Sequence, residues 1–448
     1  MSNRYDIIII GGGNAGLGVS AIAAEAGKNI AIIEERDFGG TCPNRGCTPK
    51  KVLVAAAHSL HAIDRADEHY IEVGAATLDW TQLIRRAKDM ISFIPEAMAG
   101  VAKKRGDVYR GSAKFVGPNS IEVDGTILEG DNIVIATGSK TRPLPIPGAE
   151  LMITSDEVLS EETQPDGVVF IGGGVIAMEF SHVYARAGTK VTILEVMPSL
   201  LPRIEADAVT AVQVESERIG VTVKTGVQVK SVSKSDNRLA VKYELDGQEY
   251  DVIADRVING AGRIANVDML DLGKGKIKHD RIAIETDEYL RSTSNPSVWA
   301  CGDSLITSPQ LSPIATYEGR IVGQNIVHGP KIKPDYSVLP SCVYTVPALS
   351  TVGLTELQAR DQGIDIEVTV NDMRDWFSSK SYAETVAWAK VIIDKNEDKI
   401  IGAHMVGHRG EDLIHVFSMA MRHGISASKL KDDMFAYPTF SSDIKNMF

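Results

Sequence analysis

Tyr5-Asp6-Ile7-Ile8-Ile9-Ile10-Gly11-Gly12-Gly13-Asn14-Ala15-Gly16 is the stretch whose reading decides the fold. Its first half is an unbroken apolar run of strand length, which predicts a parallel strand buried on both faces. Its second half is Gly-x-Gly-x-x-Gly, and an Ala-rich helical stretch follows to about Ala26. A second apolar strand, Ile30 to Ile33, then ends in Glu34. Strand, glycine turn, helix, strand and acid in this order form a dinucleotide-binding fingerprint. Gly11 allows the tight turn, Gly13 lets the backbone approach a pyrophosphate, Gly16 permits close helix-to-strand packing, and Glu34 accepts hydrogen bonds from a ribose. Asn14 and Ala15 complete the turn. A lone Gly-x-Gly-x-x-Gly is weak evidence, whereas the full order of elements is specific.

The pattern returns once. Val168 to Ile171 leads into Gly172-Gly173-Gly174-Val175-Ile176-Ala177, a helix through Ala187, and the strand Lys190 to Leu194 ending in Glu195. Gly172, Gly174, Ile176 and Ala177 are the expected contacts of this second nucleotide. An acid at Glu195 favours a free 2′-hydroxyl and repels a 2′-phosphate, and Val196, Met197 and Pro198 add no cation, so NADH is expected over NADPH.

Between the fingerprints lies Gly39-Gly40-Thr41-Cys42-Pro43-Asn44-Arg45-Gly46-Cys47-Thr48-Pro49-Lys50-Lys51. Cysteines five apart on a regular helix have Cα atoms roughly 8 to 9 Å apart, beyond the ~7 Å a disulfide spans, so a Cys42–Cys47 bond needs an irregular helix start. Pro43 and Gly46 supply one. A zinc site would need four Cys or His ligands in paired clusters, and the other cysteines, Cys301 and Cys342, are isolated, so no metal is expected. Two structural thiols are a further reading; a redox-active dithiol is the favoured one. Two nucleotide sites plus a dithiol suggest an electron path from a nicotinamide through a second cofactor to sulfur.

A chain of 448 residues is too long for one ordinary core. Its net charge of −12 argues against nucleic acid or an anionic membrane as partner. Four cysteines in such a length fit a reducing interior. The first apolar run is cut short by glycines, with no room for a signal peptide or membrane span, so a cytoplasmic protein is expected.

Further along, Leu53 to Ala102 reads as largely helical, and short strands around Gly111 to Glu122 lead to the apolar run Asn132 to Ala136. Arg142-Pro143-Leu144-Pro145-Ile146-Pro147-Gly148 marks a domain crossover, and Gly260-Ala261-Gly262-Arg263 a comparable break. Val298 to Asp303 is a strand closing on an acid, followed by a helix over Leu311 to Val327. The last third carries no nucleotide signature. Its strands include Glu367 to Val370 and Ala389 to Ile393, and its helices Thr355 to Gln362 and Glu411 to His423.

Together these residues resemble a flavoprotein disulfide reductase of the pyridine nucleotide-disulfide oxidoreductase class, the group holding dihydrolipoamide dehydrogenase, glutathione reductase and mercuric reductase. Gly39-Gly40-Thr41-Cys42-x4-Cys47-x-Pro49-Lys50, placed just after a flavin fingerprint, is specific to that class. The resemblance implies an α/β fold with two Rossmann-like dinucleotide-binding domains and an α+β dimerisation domain. Residues 1–145 with 266–332 would form a discontinuous FAD domain, 146–265 the NAD(P)H domain, and 333–448 the homodimer interface. It further implies that Gly40, Thr41, Ala113, Thr137, Gly138, Gly262 and Asp303 bind cofactor, Asp303 at the ribityl chain and Ala113 at the adenine. Cys47 would receive electrons from the flavin and Cys42 would exchange with substrate. Lys50 and Glu179 would form an ion pair beside flavin N5, and Val175 leaves the nicotinamide pocket without the aromatic gate of glutathione reductases.

One departure is informative. Most members of the class close with His-Pro-Thr-x-x-Glu, the histidine serving the partner subunit as acid and base; here the run is Tyr437-Pro438-Thr439-Phe440-Ser441-Ser442-Asp443. Free tyrosine titrates near ~10 and histidine near ~6.5, so Tyr437 is a poor base whose hydroxyl still donates a hydrogen bond. His58 and His61 follow Cys47 on one helix, and eleven residues of helix span roughly 16 Å, so neither is expected at the disulfide. His404, His408, His415 and His423 are more often structural than catalytic in such positions. Thiol exchange accelerates as the leaving thiol becomes more acidic, so the expected substrate is a small disulfide with acidic or thione-like sulfur. Mercuric reductase-like enzymes carry a tyrosine near this position but end in a vicinal cysteine pair, whereas this chain stops at Asn446-Met447-Phe448. Dihydrolipoamide dehydrogenase fits Glu195 but not Tyr437, and glutathione reductase fits neither Glu195 nor the missing gate. The alternatives are a metal, quinone or dioxygen as oxidant, and a flavin redox sensor without turnover.

Overall fold

The structure is a computed structural model and describes residues 3–280, 283–305 and 309–448. The chain forms two units. The first comprises Met1–Lys50, Arg85–Arg142 and Gly262–Asp335. At its centre is β1 (Arg4–Ile10), followed by α1 (Asn14–Glu25) and β2 (Ile30–Glu34). β1 pairs in parallel with β2 on one side, Ile7 opposite Ile30 and Ile10 opposite Ile33, and with Thr126–Ile135 on the other. Ile7, Ile8 and Ile9 are fully buried. Burying an isoleucine side chain stabilises by about 1.5–3 kcal/mol, which explains why a run of four apolar residues sits between two strands. Asp107–Arg110 extends the sheet beyond β2, Val298–Ala300 pairs with the end of Thr126–Ile135, and the antiparallel strands Ser120–Val123 and Ala113–Gly117 complete it.

The helix Ser312–His328 crosses α1 at backbone contact. A Cβ on Gly319 would fall 2.1 Å from the Ala15 carbonyl oxygen, so only glycine lets the helices meet this closely. The crossing carries the start of Ser312–His328 to the glycine turn of the first fingerprint.

The second unit comprises Lys51–Ile84, Pro143–Ala261 and Tyr336–Phe448. The second fingerprint builds a four-stranded parallel sheet in the order Thr222–Lys224, Lys190–Leu194, Gly167–Ile171, Arg256–Asn259. An antiparallel sheet of Gln228–Ser235, Arg238–Leu245 and Gln248–Ala254 accompanies it. The last third forms a five-stranded antiparallel sheet, Ser341–Val343, Ala348–Gly353, Lys399–Gly407, Trp388–Asp394 and Ile366–Asp372, with Ile414 and Phe417 of the helix Gly410–His423 in its core. Within this unit Lys390 is buried among Glu205, Asp207 and Glu356, its Nζ 2.8, 2.5 and 2.9 Å from their oxygens. An ammonium thus occupies the space that three carboxylates would otherwise offer a cation.

Helices form at Cys47–Asp64, Trp80–Ile91 and Ile94–Lys103, so Leu53 to Ala102 is largely helical as expected, with 71–79 irregular between them. Gly74 and the exposed Ile71 and Val73 give that stretch neither helix propensity nor a face to bury. Among the described residues no helix is long and apolar enough to cross a membrane.

Candidate active site

Both fingerprint acids close their own glycine turns in the same way. The Gly12 and Arg36 amides donate to Glu34, each at 2.7 Å. The Gly173 and Met197 amides donate to Glu195, at 2.5 and 2.7 Å. Each carboxylate therefore holds its turn while keeping lone pairs for a ribose. In both turns the third fingerprint residue caps the following helix in extended conformation. The orphan amides of that first turn are donors of the kind that a pyrophosphate would accept from.

In the first unit the structure brings Gly11 beside Ala136 and Thr137, Gly13 beside Gly40, and Ala15 beside Gly302. A Cβ on Gly40 would fall 2.8 Å from the Gly13 Cα, so this cradle tolerates no side chain. Thr137 Oγ1 and Asn44 Oδ1 are buried without a hydrogen-bond partner among the described residues, as expected of groups that meet a ligand. Gly138 and Gly262 face open space. Burial raises the carboxyl of Asp303, partly offset by the Ser139 hydroxyl, which donates to it at 3.0 Å, and by Arg263. Arg263 also donates to the Ser139 hydroxyl and carbonyl at 2.9 and 2.6 Å. Gly302, beside Asp303, is held by Glu318, a fully buried acid that accepts its amide at 2.6 Å. Ala113 is buried at the start of Ala113–Gly117, and Lys50 is buried on the same unit. The residues present fit an extended dinucleotide with a polar chain at Asp303. Sequence reading missed Ser139, Arg263 and Glu318. The first two adjoin the glycines it named, and the third is an acid in an otherwise apolar helix stripe, which is the signal that could have found it.

The cysteines sit where two helices break. α2 (Thr41–Arg45) ends at Gly46, whose φ of −145° and ψ of −118° are not helical, and α3 (Cys47–Asp64) begins at once. A Cβ on Gly46 would lie 3.0 Å from the Thr41 carbonyl oxygen and 3.3 Å from the Cys42 Cα, so the missing side chain lets the chain fold back on Cys42. Asn44 pins α2 by donating to the Phe38 and Gly40 carbonyls at 3.0 and 2.9 Å. Cys47 is exposed and Cys42 half-buried. Hydrogen bonding from Cys47 lowers the Cys42 thiol to about 6; burial opposes this, and the Ser312 hydroxyl and Lys50 charge assist it. Cys301 is inert by contrast, its thiol pushed up by full burial.

In the second unit Gly172, Gly174, Ile176 and Ala177 shape the second turn, and Val175 is exposed at its lip. Glu179 is buried and accepts the Tyr344 amide at 2.9 Å. In the closing segment Tyr437 is 76 % exposed, while Ser442 is buried. Ser442 Oγ accepts the Thr439 amide at 3.2 Å and the Thr439 hydroxyl accepts the Ser442 amide at 3.1 Å, so the position of the missing glutamate serves as a capping box. Burial raises the Asp443 carboxyl.

His404, His58, His61 and His408 lie in buried or paired places. His404 is buried between the Thr351 hydroxyl and the Leu354 carbonyl. Burial lowers His58 to about 4 and also lowers His61. His408 Nδ1 lies 3.0 Å from Glu384, whose carboxylate also pairs with Arg65 at 2.9 Å, and its ring sits between Tyr382 and Phe440.

The pyridine nucleotide-disulphide oxidoreductase profile matches residues 5–319, and the dimerisation-domain profile of the same family matches residues 339–448. Dihydrolipoyl dehydrogenase of Bacillus subtilis is 32% identical over 444 residues, covering 97% of this chain and 93% of that protein. Glutathione reductase of Burkholderia cepacia is 30% identical over 442 residues, covering 98% and 97%. Among solved structures, the Cu(II) complex of the HOCl-induced flavoprotein disulfide reductase RclA from Escherichia coli superposes with a TM-score of 0.88 at 28% identity, covering 99% of this chain and 98% of that one.

Proposed function

The chain belongs to the pyridine nucleotide-disulphide oxidoreductase family, and from that premise we propose that it is an NADH-dependent reductase of a small-molecule disulfide whose sulfur leaves readily as an anion or thione. It is an FAD-dependent oxidoreductase that acts on sulfur with a nicotinamide dinucleotide, and it carries the family's dimerisation domain. The observation that supports the finer reading is the Cys42 sulfur, favoured as thiolate at neutral pH beside Cys47, in a chain whose closing segment has no histidine.

Bound FAD supplies the two-electron relay between nicotinamide and the cysteine pair. Gly11, Gly13, Asn14, Ala15, Gly16, Glu34, Gly40, Thr41, Ala113, Thr137, Gly138 and Asp303 are assigned to hold it, in residues 1–145 and 266–332. Gly172, Gly174, Ile176, Ala177, Glu195 and Gly262 are assigned to NADH in residues 146–265, and residues 333–448 to the homodimer interface. Lys50 and Glu179 are assigned to balance charge at the flavin. Two electrons open the Cys42–Cys47 bond to one thiolate and one thiol. The Cys42 thiolate attacks the substrate disulfide and expels the first substrate thiolate. Cys47 then attacks the mixed disulfide, expels the second thiolate and restores the bond. Each NADH with one proton thus yields NAD⁺ and two substrate thiols. Tyr437 of the partner subunit is assigned to donate a hydrogen bond to the leaving sulfur, and a cytoplasmic location completes the reading.

Anaerobic titration with NADH followed by thiol counting tests it. Two alkylatable thiols, at Cys42 and Cys47, should appear beyond flavin reduction, and steady-state turnover should follow on a panel of disulfides. Reduction of the flavin with no new thiols would sink the disulfide mechanism. A metal oxidant is the second reading, favoured by the Cu(II) complex of the RclA relative. Turnover on metal thiolates but on no disulfide would select it.

A further inference from the structure

Cys42 has a neighbour that its local motif does not announce. Ser312 opens the seventeen-residue helix Ser312–His328, and its hydroxyl is hydrogen-bonded to the Cys42 sulfur. The Asn14 side-chain amide donates to Ser312 Oγ. A hydroxyl has one proton and two acceptor lone pairs. With Asn14 occupying an acceptor site, the Ser312 proton is left to point at sulfur. The glycine-lined crossing of Ser312–His328 with α1 fixes this relay, because Asn14 is the first residue of α1 and Ser312 the first of its partner helix. The helix start adds a partial positive charge beside the sulfur.

We propose that Ser312 is a positioning residue for the Cys42 sulfur: oriented by Asn14, its hydroxyl donates to that sulfur and keeps it nucleophilic in a chain that lacks the closing histidine. The inference rests on the assignment of Cys42 as the sulfur that meets substrate. Among the described residues, the charged and titratable groups that act most on Cys42 are Cys47 and Lys50, both on α3. On α2, Arg45 is engaged by Asp37 at 3.3 Å, and Asn14 and Ser312 are neutral. Replacing Ser312 therefore removes a donor without changing the charge around the sulfur.

The test is the pH dependence of iodoacetamide alkylation in the NADH-reduced holoenzyme, with the labelled cysteine identified by peptide mass spectrometry. In the unsubstituted protein Cys42 should label first, with a midpoint near 6. Ser312→Ala should raise that midpoint by about one pH unit, slowing labelling roughly fivefold at pH 6, since the thiolate fraction falls from about one half to about one eleventh. Ser312→Thr keeps the hydroxyl and should restore the midpoint. A Ser312→Ala midpoint equal to that of the unsubstituted protein, with Cys42 still the labelled residue, overturns the inference alone. Labelling of Cys47 ahead of Cys42 in the unsubstituted protein overturns the assignment of the exchanging sulfur and the inference with it.

Discussion

Tyr437 and Glu195 are two of the side chains on which the proposed reading turns. A tyrosine hydroxyl keeps its proton across neutral pH, so it donates without cycling between acid and base. Tyr437→Phe should lower kcat/KM for a disulfide about five- to tenfold, the worth of one hydrogen bond of about 1 kcal/mol, without moving the pH profile. Tyr437→His should add an inflection near ~6.5 to the same profile. Unchanged kcat/KM in Tyr437→Phe would remove the hydroxyl from the mechanism. Glu195 accepts the Gly173 and Met197 amides, so its replacement also loosens the turn. Glu195→Gln removes the charge while keeping an acceptor. It should narrow the preference for NADH over NADPH about tenfold in kcat/KM, the effect of one lost repulsion of about 1.4 kcal/mol.

At the scale of elements, the break between α2 and α3 decides whether two cysteines five apart can pair. Gly46→Ala puts a methyl group against the Thr41 carbonyl and the Cys42 Cα. It should slow reoxidation of the dithiol and lower disulfide turnover at least fivefold, by a strain of about 1–3 kcal/mol; a thiol count after oxidant removal checks it. α3 is also anchored far from the cysteines, where Arg65 pairs with Glu384 and donates to the Tyr382 and Ala383 carbonyls at 2.7 and 3.0 Å. Burial would raise Glu384, but His408, His61 and Arg65 together hold its carboxyl well below the usual carboxylate range. A depressed folded-state value means that the stabilisation is complete above the unfolded value of ~4.3 and is lost as pH falls below it. Glu384→Gln leaves the buried Arg65 without its counter-charge and should cost about 3–5 kcal/mol, read as a lower urea midpoint at pH 7. The difference from the unsubstituted protein should shrink below pH 4.

Across the whole molecule, hydride input and thiol output are encoded in separate fingerprints and motifs, so they should be separable by mutation. Cys42→Ser should abolish disulfide turnover, a loss of about a thousandfold or more, while NADH-driven reduction of ferricyanide stays within about threefold. Parallel loss of both activities would show that Cys42 supports cofactor binding instead. The two fingerprints repeat one local construction, a strand, a glycine turn, a helix and a second parallel strand whose terminal acid closes the turn.

The amino-acid sequence by itself determined the two fingerprints, the paired cysteines, the closing tyrosine and the elements around them. Each depends on neighbours within some twenty residues, where a strand, a turn and a helix start leave a local pattern of apolar, glycine and acidic positions. The tertiary structure alone decided which distant groups meet. Asn14 and Ser312 are 298 positions apart and Ser139 and Asp303 are 164 apart, joined by sheet topology and by a helix crossing that glycines permit. Lys390 among three acids and Glu384 between Arg65 and His408 are of the same kind. Side chains that compensate one another's burial across the fold have no fixed spacing along the chain, and so leave no periodic trace in it.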